Sequence, residues 1–318
     1  MKPVLAIDIG GTKLASGVVS PDGAVHYART VPTPAREGGE AVMQRVIALA
    51  QEVRQAAGAE PGLRPAAVGL GTGGLVVLAE GAISYATAAI PGWGGMPVKA
   101  RLAAALGLPV EVENDGNAMA LGEANFGAGR GYPLVVGITV GTGIGGGITL
   151  DGRIFHGAHG LSNNIGHMVI QMNGRLCPCG RRGCLEAYAS APAMVADFTR
   201  RVGKRHLPEN YGLKTGRFGV KEIAQFAAGG DPSAIAALQT GAEYLGVGIA
   251  SLIDLLDPDI VIVGGGAAQS GELYFDRLRS AAAGQVLPGT AQVPIVPAQL
   301  KTWANLVGAA CIVWGKRD

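Results

Sequence analysis

The stretch VLAIDIGGTKLASGVV at residues 4–19 consists of an apolar strand, a glycine turn and a second apolar strand. The same pattern returns as LVVGITVGTGIGGGITL at residues 134–150. Each half of the chain therefore opens with a glycine-turn hairpin and continues into helices and buried strands, which predicts two α/β domains. We place a smaller domain at residues 1–116 with 303–318, and a larger one at residues 117–302.

The remaining elements follow from the spacing of apolar residues. Buried strands are predicted at residues 66–71, 109–113 and 259–263, a third strand of the first meander from about Val25, and a short return strand at residues 154–156. Helical spacing predicts helices over residues 40–57, 97–106, 117–126, 185–201, 220–228, 232–256 and 303–314. The polar stretch 201–217 is predicted to be a surface loop.

Composition narrows the class of protein. The chain has 318 residues, of which 48% are hydrophobic and only 5% aromatic, so its core must consist mostly of Ala, Val, Leu and Ile. The 26 basic and 24 acidic residues give a net charge of +2, which is too small to indicate nucleic-acid binding. We find no signal peptide, and the best apolar run, Tyr244–Leu256, is too short for a membrane span and contains Asp254. We expect a cytoplasmic enzyme with a small-molecule substrate and no nucleic-acid or membrane partner.

Three of the four cysteines lie within eight residues, as Cys177, Cys179 and Cys184, and His167 lies ten residues upstream. Thiolates and imidazole are the ligands of tetrahedral Zn²⁺, and four of them make a closed structural site. The alternative is three buried thiols and a surface histidine. Glycines at the bends of the cysteine segment favour a structural zinc site over that alternative.

Three glycine-rich turns follow apolar strands, and such turns can direct backbone N–H groups at a phosphate. The first carries Gly10, Gly11, Thr12 and Lys13, preceded by Asp8, whose carboxylate can hold Mg²⁺. The second carries Thr142 and Gly143, and the third, with Gly265 and Gly266, could admit a base or ribose. Each turn alone could equally be a glycine-rich hairpin without a ligand, whereas three in this order predict a nucleotide site.

Asp115 lies where a predicted strand passes into a predicted helix, in the run Glu113-Asn114-Asp115. A carboxylate there can accept a proton from a substrate hydroxyl that attacks a phosphorus atom. The competing interpretation is that Asp115 only caps the helix N-terminus. The neighbouring Asn114 and the glycine turns favour the catalytic base.

Taken together, these segments resemble the ROK family of bacterial sugar kinases and repressors. The resemblance spans residues 4–312 and rests on motifs that stand in the family's order: Asp8-x-Gly-Gly-Thr, Pro91-Gly92-Trp93, Glu113-Asn114-Asp115-x-Asn117, Gly141-Thr142-Gly143, Gly166-His167, the cysteine segment with Glu186, and Gly264-Gly265-Gly266. It implies the actin/hexokinase fold, an α/β fold of two ribonuclease-H-like domains with a cleft. It also implies ATP as phosphoryl donor, Mg²⁺, structural Zn²⁺ and a homodimer.

The resemblance also implies a role for each matching residue. Asp115 matches the base, Asn114 and Glu186 match sugar contacts, and His167 matches a zinc ligand beside the sugar. The other implied zinc ligands are Cys177, Cys179 and Cys184. The implied phosphate, Mg²⁺ and nucleotide residues are Asp8, Gly10, Gly11, Thr12, Lys13, Thr142, Gly143, Gly265 and Gly266.

This chain departs from the family pattern on the sugar side. Asn164 stands where members usually have a sugar-binding glutamate, Gly73 stands in place of a usual proline, and Ala89 also differs. A hexose kinase acting on O6 of glucose is therefore our first interpretation, with an N-acetylhexosamine or another hexose epimer as the alternative acceptor. A repressor or a non-catalytic sugar-binding protein of the same family is less favoured, because the first strand begins near Pro3 and Asp115 is retained.

Overall fold

The structure, a computed structural model, describes residues 1–87, 89–203, 218–290 and 292–315. The first sheet is built around β1 (Val4–Ile9) and has the order β3-β2-β1-β4-β7. Its other strands are β2 (Lys13–Val19), β3 (Val25–Pro32), β4 (Ala67–Thr72) and β7 (Val110–Asn114). Because β1, β4 and β7 run parallel, their carboxyl ends meet at one edge of the sheet.

The second sheet has the order β10-β9-β8-β11-β12. It contains the second predicted hairpin, β8 (Leu134–Val140) and β9 (Ile144–Leu150), with β10 (Arg153–Ile154), β11 (Ile260–Gly264) and β12 (Ile295–Pro297). A separate two-stranded hairpin is formed by β5 (Leu75–Val77) and β6 (Ala82–Tyr85). The return strand that we predicted to reach residue 156 ends at Ile154.

Most predicted helices are present with bounds shifted by one or two residues. The helices are α1 (Gly39–Ala57), α2 (Val98–Leu106), α3 (Asp115–Phe126), α4 (Glu186–Ala189), α5 (Ala191–Val202), α6 (Val220–Ala228), α7 (Pro232–Leu256), α8 (Glu272–Ala283) and α9 (Ala304–Gly315). The prediction of one helix over residues 185–201 is wrong, because Ser190 adopts an extended conformation between α4 and α5. Its hydroxyl accepts a hydrogen bond from Ala193 N–H, and Pro192 lies in the first turn of α5.

The sequence analysis did not predict β5, β6, β12 or α8. From residue 204 onward, the loop predicted for residues 201–217 lies outside the described residues. In the part of the chain that the structure describes, no helix combines the length and hydropathy that a bilayer span requires.

The chain separates into two compact units. The first comprises Met1–Gly137, Gly146–Asn164 and the C-terminal stretch from Ala298, and the second comprises Ile138–Gly145 and Ile165–Pro297. The first unit thus includes residues 117–137, which we assigned to the larger domain. The boundary between two functional domains that we placed after residue 116 stays a prediction.

Helix α9 packs against α3 in the first unit at unusually close range. A Cβ atom on Gly308 would overlap the carbonyl oxygen of Ala118, and one on Gly122 would overlap that of Ala304. The two helix backbones therefore touch at glycines, where larger side chains would force the helices apart. This contact fixes the position of the C-terminal helix relative to the N-terminus of α3.

Candidate active site

In the first unit, the predicted catalytic and phosphate residues collect at the carboxyl edge of the parallel strands. Asp8 lies near the end of β1, Gly73 follows β4, and Asn114 and Asp115 follow one another at the end of β7. The register pairs Asp8 with Gly71 and Gly71 with Glu113, so the three strands end level with one another. Carboxyl edges of parallel strands are the usual place for ligand sites in α/β proteins.

Asn114, rather than Asp115, caps helix α3. The Asn114 Oδ1 accepts hydrogen bonds from the N–H groups of Gly116 at 2.8 Å and Asn117 at 3.3 Å. Its Nδ2 donates to the carbonyl oxygen of Gly74 at 3.1 Å. Because another side chain supplies the cap, Asp115 is not needed for that role and its carboxylate is available for chemistry.

Asp115 is half-buried in the first turn of α3. Its Oδ1 accepts a hydrogen bond from Gly116 N–H at 2.9 Å. Burial raises the pKa of Asp115 above its usual value, although the Gly116 N–H opposes that rise. A carboxylate with a raised pKa is a better proton acceptor than an ordinary surface aspartate. Gly73 lies beside it, and a Cβ atom there would be 3.9 Å from the Asp115 Oδ2.

Asp8 is the second half-buried carboxylate at this edge. Burial raises its pKa to about 7, and the negative charge of Asp115 adds to the rise, whereas a hydrogen bond from Asn305 lowers it. The Asn305 Nδ2 lies 2.9 Å from the Asp8 Oδ1. An amide donor adds no positive charge beside the carboxylate, so the ionised form of Asp8 suits a cation and the chemistry of this site fits Mg²⁺.

The first glycine turn is a tight hairpin. Gly10 N–H donates to the carbonyl oxygen of Lys13 at 3.0 Å, and Thr33 Oγ1 donates to the carbonyl oxygen of Gly10 at 2.7 Å. The Gly10 N–H is therefore committed to the hairpin. Of the other predicted phosphate residues in this turn, Gly11 is half-buried, and Thr12 and Lys13 are exposed.

A buried polar network lies directly beneath Asn114 and Asp115. Glu113 is 3% exposed and accepts hydrogen bonds from Asn114 N–H at 2.8 Å and Asn117 Nδ2 at 3.0 Å. Its second carboxylate oxygen lies 2.6 Å from His156 Nε2. The Asn117 Oδ1 in turn accepts a hydrogen bond from Asn163 Nδ2 at 2.8 Å. This network ties residues 155–163 to the segment that carries the base.

Asn164 follows this network and is exposed. Its Nδ2 donates to the carbonyl oxygen of Leu161 at 2.8 Å, which turns the side-chain carbonyl away from that bond. Asn163 before it adopts a left-handed backbone with φ of 69°, a conformation that asparagine tolerates better than most residues. The left-handed backbone of Asn163 and the hydrogen bond to Leu161 therefore set the position of Asn164.

In the second unit, the four predicted zinc ligands lie together. The ligand atoms of His167, Cys177, Cys179 and Cys184 all lie within 4.8 Å of one another. The Cys177 Sγ is 3.7 Å from His167 Nδ1, and the Cys179 Sγ is 3.7 Å from Cys184 Sγ. Zn–S bonds of about 2.3 Å give a tetrahedron with edges of about 3.8 Å. The donor set and its spacing therefore fit a structural Zn²⁺.

Glu186 joins this cluster to the second glycine turn. Its Oε2 accepts a hydrogen bond from Ile144 N–H at 2.8 Å, and its Oε1 lies 3.7 Å from Cys177 Sγ. A Cβ atom on Gly143 would overlap the Glu186 carboxylate, and one on Gly166 would overlap the carbonyl oxygen of Ile144. The turn at residues 141–145 and the His167 segment therefore pack together through their glycines.

The other predicted nucleotide residues belong to the second unit. Thr142 is exposed on the turn between β8 and β9, and Gly265 and Gly266 are exposed directly after β11. The predicted site residues are thus divided between the two units, with the base and Asp8 in the first and the zinc ligands in the second.

Sequence reasoning missed Asn305 and His156 as partners of the site. Glu113 and Asn117 stood in the quoted motif, but nothing indicated that His156 would pair with Glu113. Asn305 lies 297 residues from Asp8, and only the position of α9 brings them together.

Comparison with known proteins gives a family and full-length relatives. The ROK family model matches residues 4–316. The chain is 36% identical over 314 residues to a glucokinase from Streptomyces coelicolor, with 96% of each chain covered. It is 35% identical over 315 residues to a glucokinase from Thermotoga maritima, covering 98% of this chain and 96% of that protein.

Among solved structures, a ROK family glucokinase from Streptomyces griseus in complex with glucose and AMPPNP superimposes with a TM-score of 0.87. It is 35% identical, and the match covers 97% of this chain and 98% of that one. The predicted fold class, α/β of the actin/hexokinase type, is confirmed.

Proposed function

The chain belongs to the ROK family and is an ATP-dependent sugar kinase, and we propose that its acceptor is glucose, phosphorylated at O6. The acceptor is inferred from the glucokinases to which the chain is similar. The assignment of the base rests on the carboxylate of Asp115. Asn114 supplies the N-cap of α3 in its place, and burial raises the pKa of the Asp115 carboxyl.

In this reaction, Asp115 accepts the proton of the attacking hydroxyl. The sugar oxygen forms a bond to the γ-phosphorus of ATP, the bond from that phosphorus to the bridging oxygen breaks, and ADP leaves with the electron pair. Asn114 lies next to the base, and we assign it, with Glu186, His167, Asn164 and Gly73, to the sugar. These assignments follow the family resemblance.

We assign the phosphates of ATP to the first and second glycine turns, and the rest of the nucleotide to the third. Asp8 would hold Mg²⁺, which neutralises charge on the transferred phosphoryl group when bound. Thr12, Lys13, Thr142 and Gly143 would contact the phosphates, with Gly10 shaping the first turn. Gly265 and Gly266 would lie against the nucleotide.

Structural Zn²⁺ is assigned to the cluster of one imidazole and three thiols. Since Glu186 contacts both Cys177 and Ile144 N–H, a metal in that cluster would also fix the second glycine turn. Its contribution is to the shape of the site, because four protein ligands leave no open position for a substrate.

The substitution Asp115→Asn tests the proposed function. It preserves shape but removes the proton acceptor, and general-base catalysis typically contributes 10²–10⁴-fold to the rate, so we expect at least a hundredfold loss of kcat. The assay couples ADP release to NADH oxidation with Mg-ATP and glucose, mannose, allose, N-acetylglucosamine or N-acetylmannosamine. The exposed Asp276→Asn serves as a matched control.

A near-normal kcat for the Asp115 variant would contradict the assignment of the base. Preferred turnover of an N-acetylhexosamine would contradict glucose as the acceptor but leave the kinase assignment intact. We also propose a homodimer, on the family resemblance alone, and sedimentation equilibrium at micromolar concentration would test it.

A further inference from the structure

The C-terminal helix α9 brings a side-chain amide to the carboxyl edge of the first sheet. Asn305, the second residue of α9, donates from Nδ2 to the Asp8 Oδ1 at 2.9 Å. Among the described residues, Asn305 is the one whose side chain donates a hydrogen bond to the Asp8 carboxylate. We propose that Asn305 is a positioning residue that fixes the orientation of the Asp8 carboxylate. This inference rests on the proposed role of Asp8 as the Mg²⁺ and phosphate residue.

The chemistry of the amide suits this task. Rotation of an aspartate about its terminal torsion is broad, so a carboxylate without a partner samples many orientations. A hydrogen bond to one oxygen restricts that rotation, and the second oxygen keeps its capacity to accept a cation or a donor. A lysine or arginine in the same place would neutralise the carboxylate and compete with a cation, whereas an amide leaves its charge intact.

The position of Asn305 is itself fixed by the close crossing of α3 and α9. Gly308 lies three residues further along α9, almost one turn away, and its backbone touches Ala118 of α3. Asp115 begins that same helix α3. Asn305 therefore connects Asp8 to α9, and α9 packs closely on the helix that begins with Asp115.

A buried carboxylate secures the entry to α9. Glu123 is fully buried on α3, and it accepts hydrogen bonds from the backbone N–H groups of Ala128 at 2.9 Å, Gln299 at 3.1 Å and Leu300 at 2.8 Å. Three donors satisfy a charge that would otherwise be costly to bury. Residues 299–300 are thus fixed to α3 a few residues before Asn305.

The test compares Asn305→Ala and Asn305→Leu, the latter of which keeps the side-chain volume and removes the donor. The matched control is Asn125→Ala, because Asn125 is a half-buried asparagine on α3 whose side chain donates to the carbonyl oxygens of Leu121 and Gly152. In the Asn305 variants we expect the Mg²⁺ concentration for half-maximal rate to rise about tenfold, equivalent to about 1.4 kcal/mol. The value of kcat should fall, while the KM for glucose stays within twofold.

A second readout needs no turnover. Isothermal titration of Mg²⁺ into protein with glucose and AMPPNP should show the same tenfold weakening in both Asn305 variants and none in Asn125→Ala. Normal Mg²⁺ affinity in a folded Asn305→Leu would overturn the proposal, and a loss of thermal stability alone would indicate a purely structural role. Asp8→Asn is measured in parallel: if it also binds Mg²⁺ normally and turns over, the proposed role of Asp8 fails rather than that of Asn305.

Discussion

Asp8 should destabilise the folded protein at neutral and alkaline pH, and Asp8→Asn should therefore raise its stability there. Burial raises the pKa of this carboxyl to about 7 in the folded state, against 3.8 for an exposed aspartate. The folded state thus binds more protons than the unfolded state between these values. Stability consequently falls as the pH rises through that window, and the full cost is present above pH 7.

The magnitude follows from the two pKa values. Their difference of about 3, multiplied by 1.36 kcal/mol, gives at most about 4 kcal/mol of unfolding free energy lost at pH 8. An asparagine has no charge to desolvate, and its Oδ1 can still accept the hydrogen bond from Asn305. For a unit of this size, 4 kcal/mol corresponds to a rise in the melting midpoint of up to about 16 °C.

Thermal unfolding followed by circular dichroism at pH 5 and pH 8 measures this effect, with Asp276→Asn as an exposed control. We expect Asp8→Asn to exceed the wild-type midpoint at pH 8 by clearly more than at pH 5. The same substitution should abolish phosphoryl transfer. Equal differences at both pH values, or a less stable variant at pH 8, would refute the argument that burial destabilises the ionised Asp8.

Three further results are expected. Removing zinc with a chelator, or substituting Cys184→Ala, should lower the melting midpoint and the activity together; an unchanged midpoint with full loss of bound zinc would contradict a structural site. Gly308→Ala should cost about 3 kcal/mol or more in urea unfolding, because its Cβ has no space against Ala118, whereas Gly315→Ala, with open space around it, should be close to neutral. Asn164→Glu should lower the KM for glucose by about tenfold, since a charged acceptor makes stronger hydrogen bonds, and an unchanged or higher KM would exclude a sugar contact at this position.

Local signals in the sequence were sufficient to predict the glycine turns and the cluster of one histidine and three cysteines. The glycine turns follow strands as predicted, because glycine at a strand end encodes a turn directly. The cluster of His167, Cys177, Cys179 and Cys184 was recognisable in the sequence since its three cysteines lie within eight residues. The division between α4 and α5 was also encoded, by Ser190 followed two residues later by Pro192, but the apolar spacing on either side concealed it.

Contacts between distant segments could not be predicted in the same way. Asn305 has no neighbour in sequence that suggests a ligand, and its role depends on how α9 crosses α3. His156 meets Glu113 only because the segment after β10 returns to the end of β7. That Asn114 occupies the N-cap position of α3 was also evident only from the coordinates, because both asparagine and aspartate cap helices well.

The first unit begins with the first strand and is completed by the last helix, which has a consequence for biosynthesis. Helix α9 packs against α3, β1 and β4, yet it is translated after the whole of the second unit. A nascent chain must therefore hold an incomplete sheet, with one apolar face uncovered, until α9 leaves the ribosome. Truncation by a few residues within α9 should therefore strongly destabilise the first unit, although α9 lies far along the chain from the glycine turns.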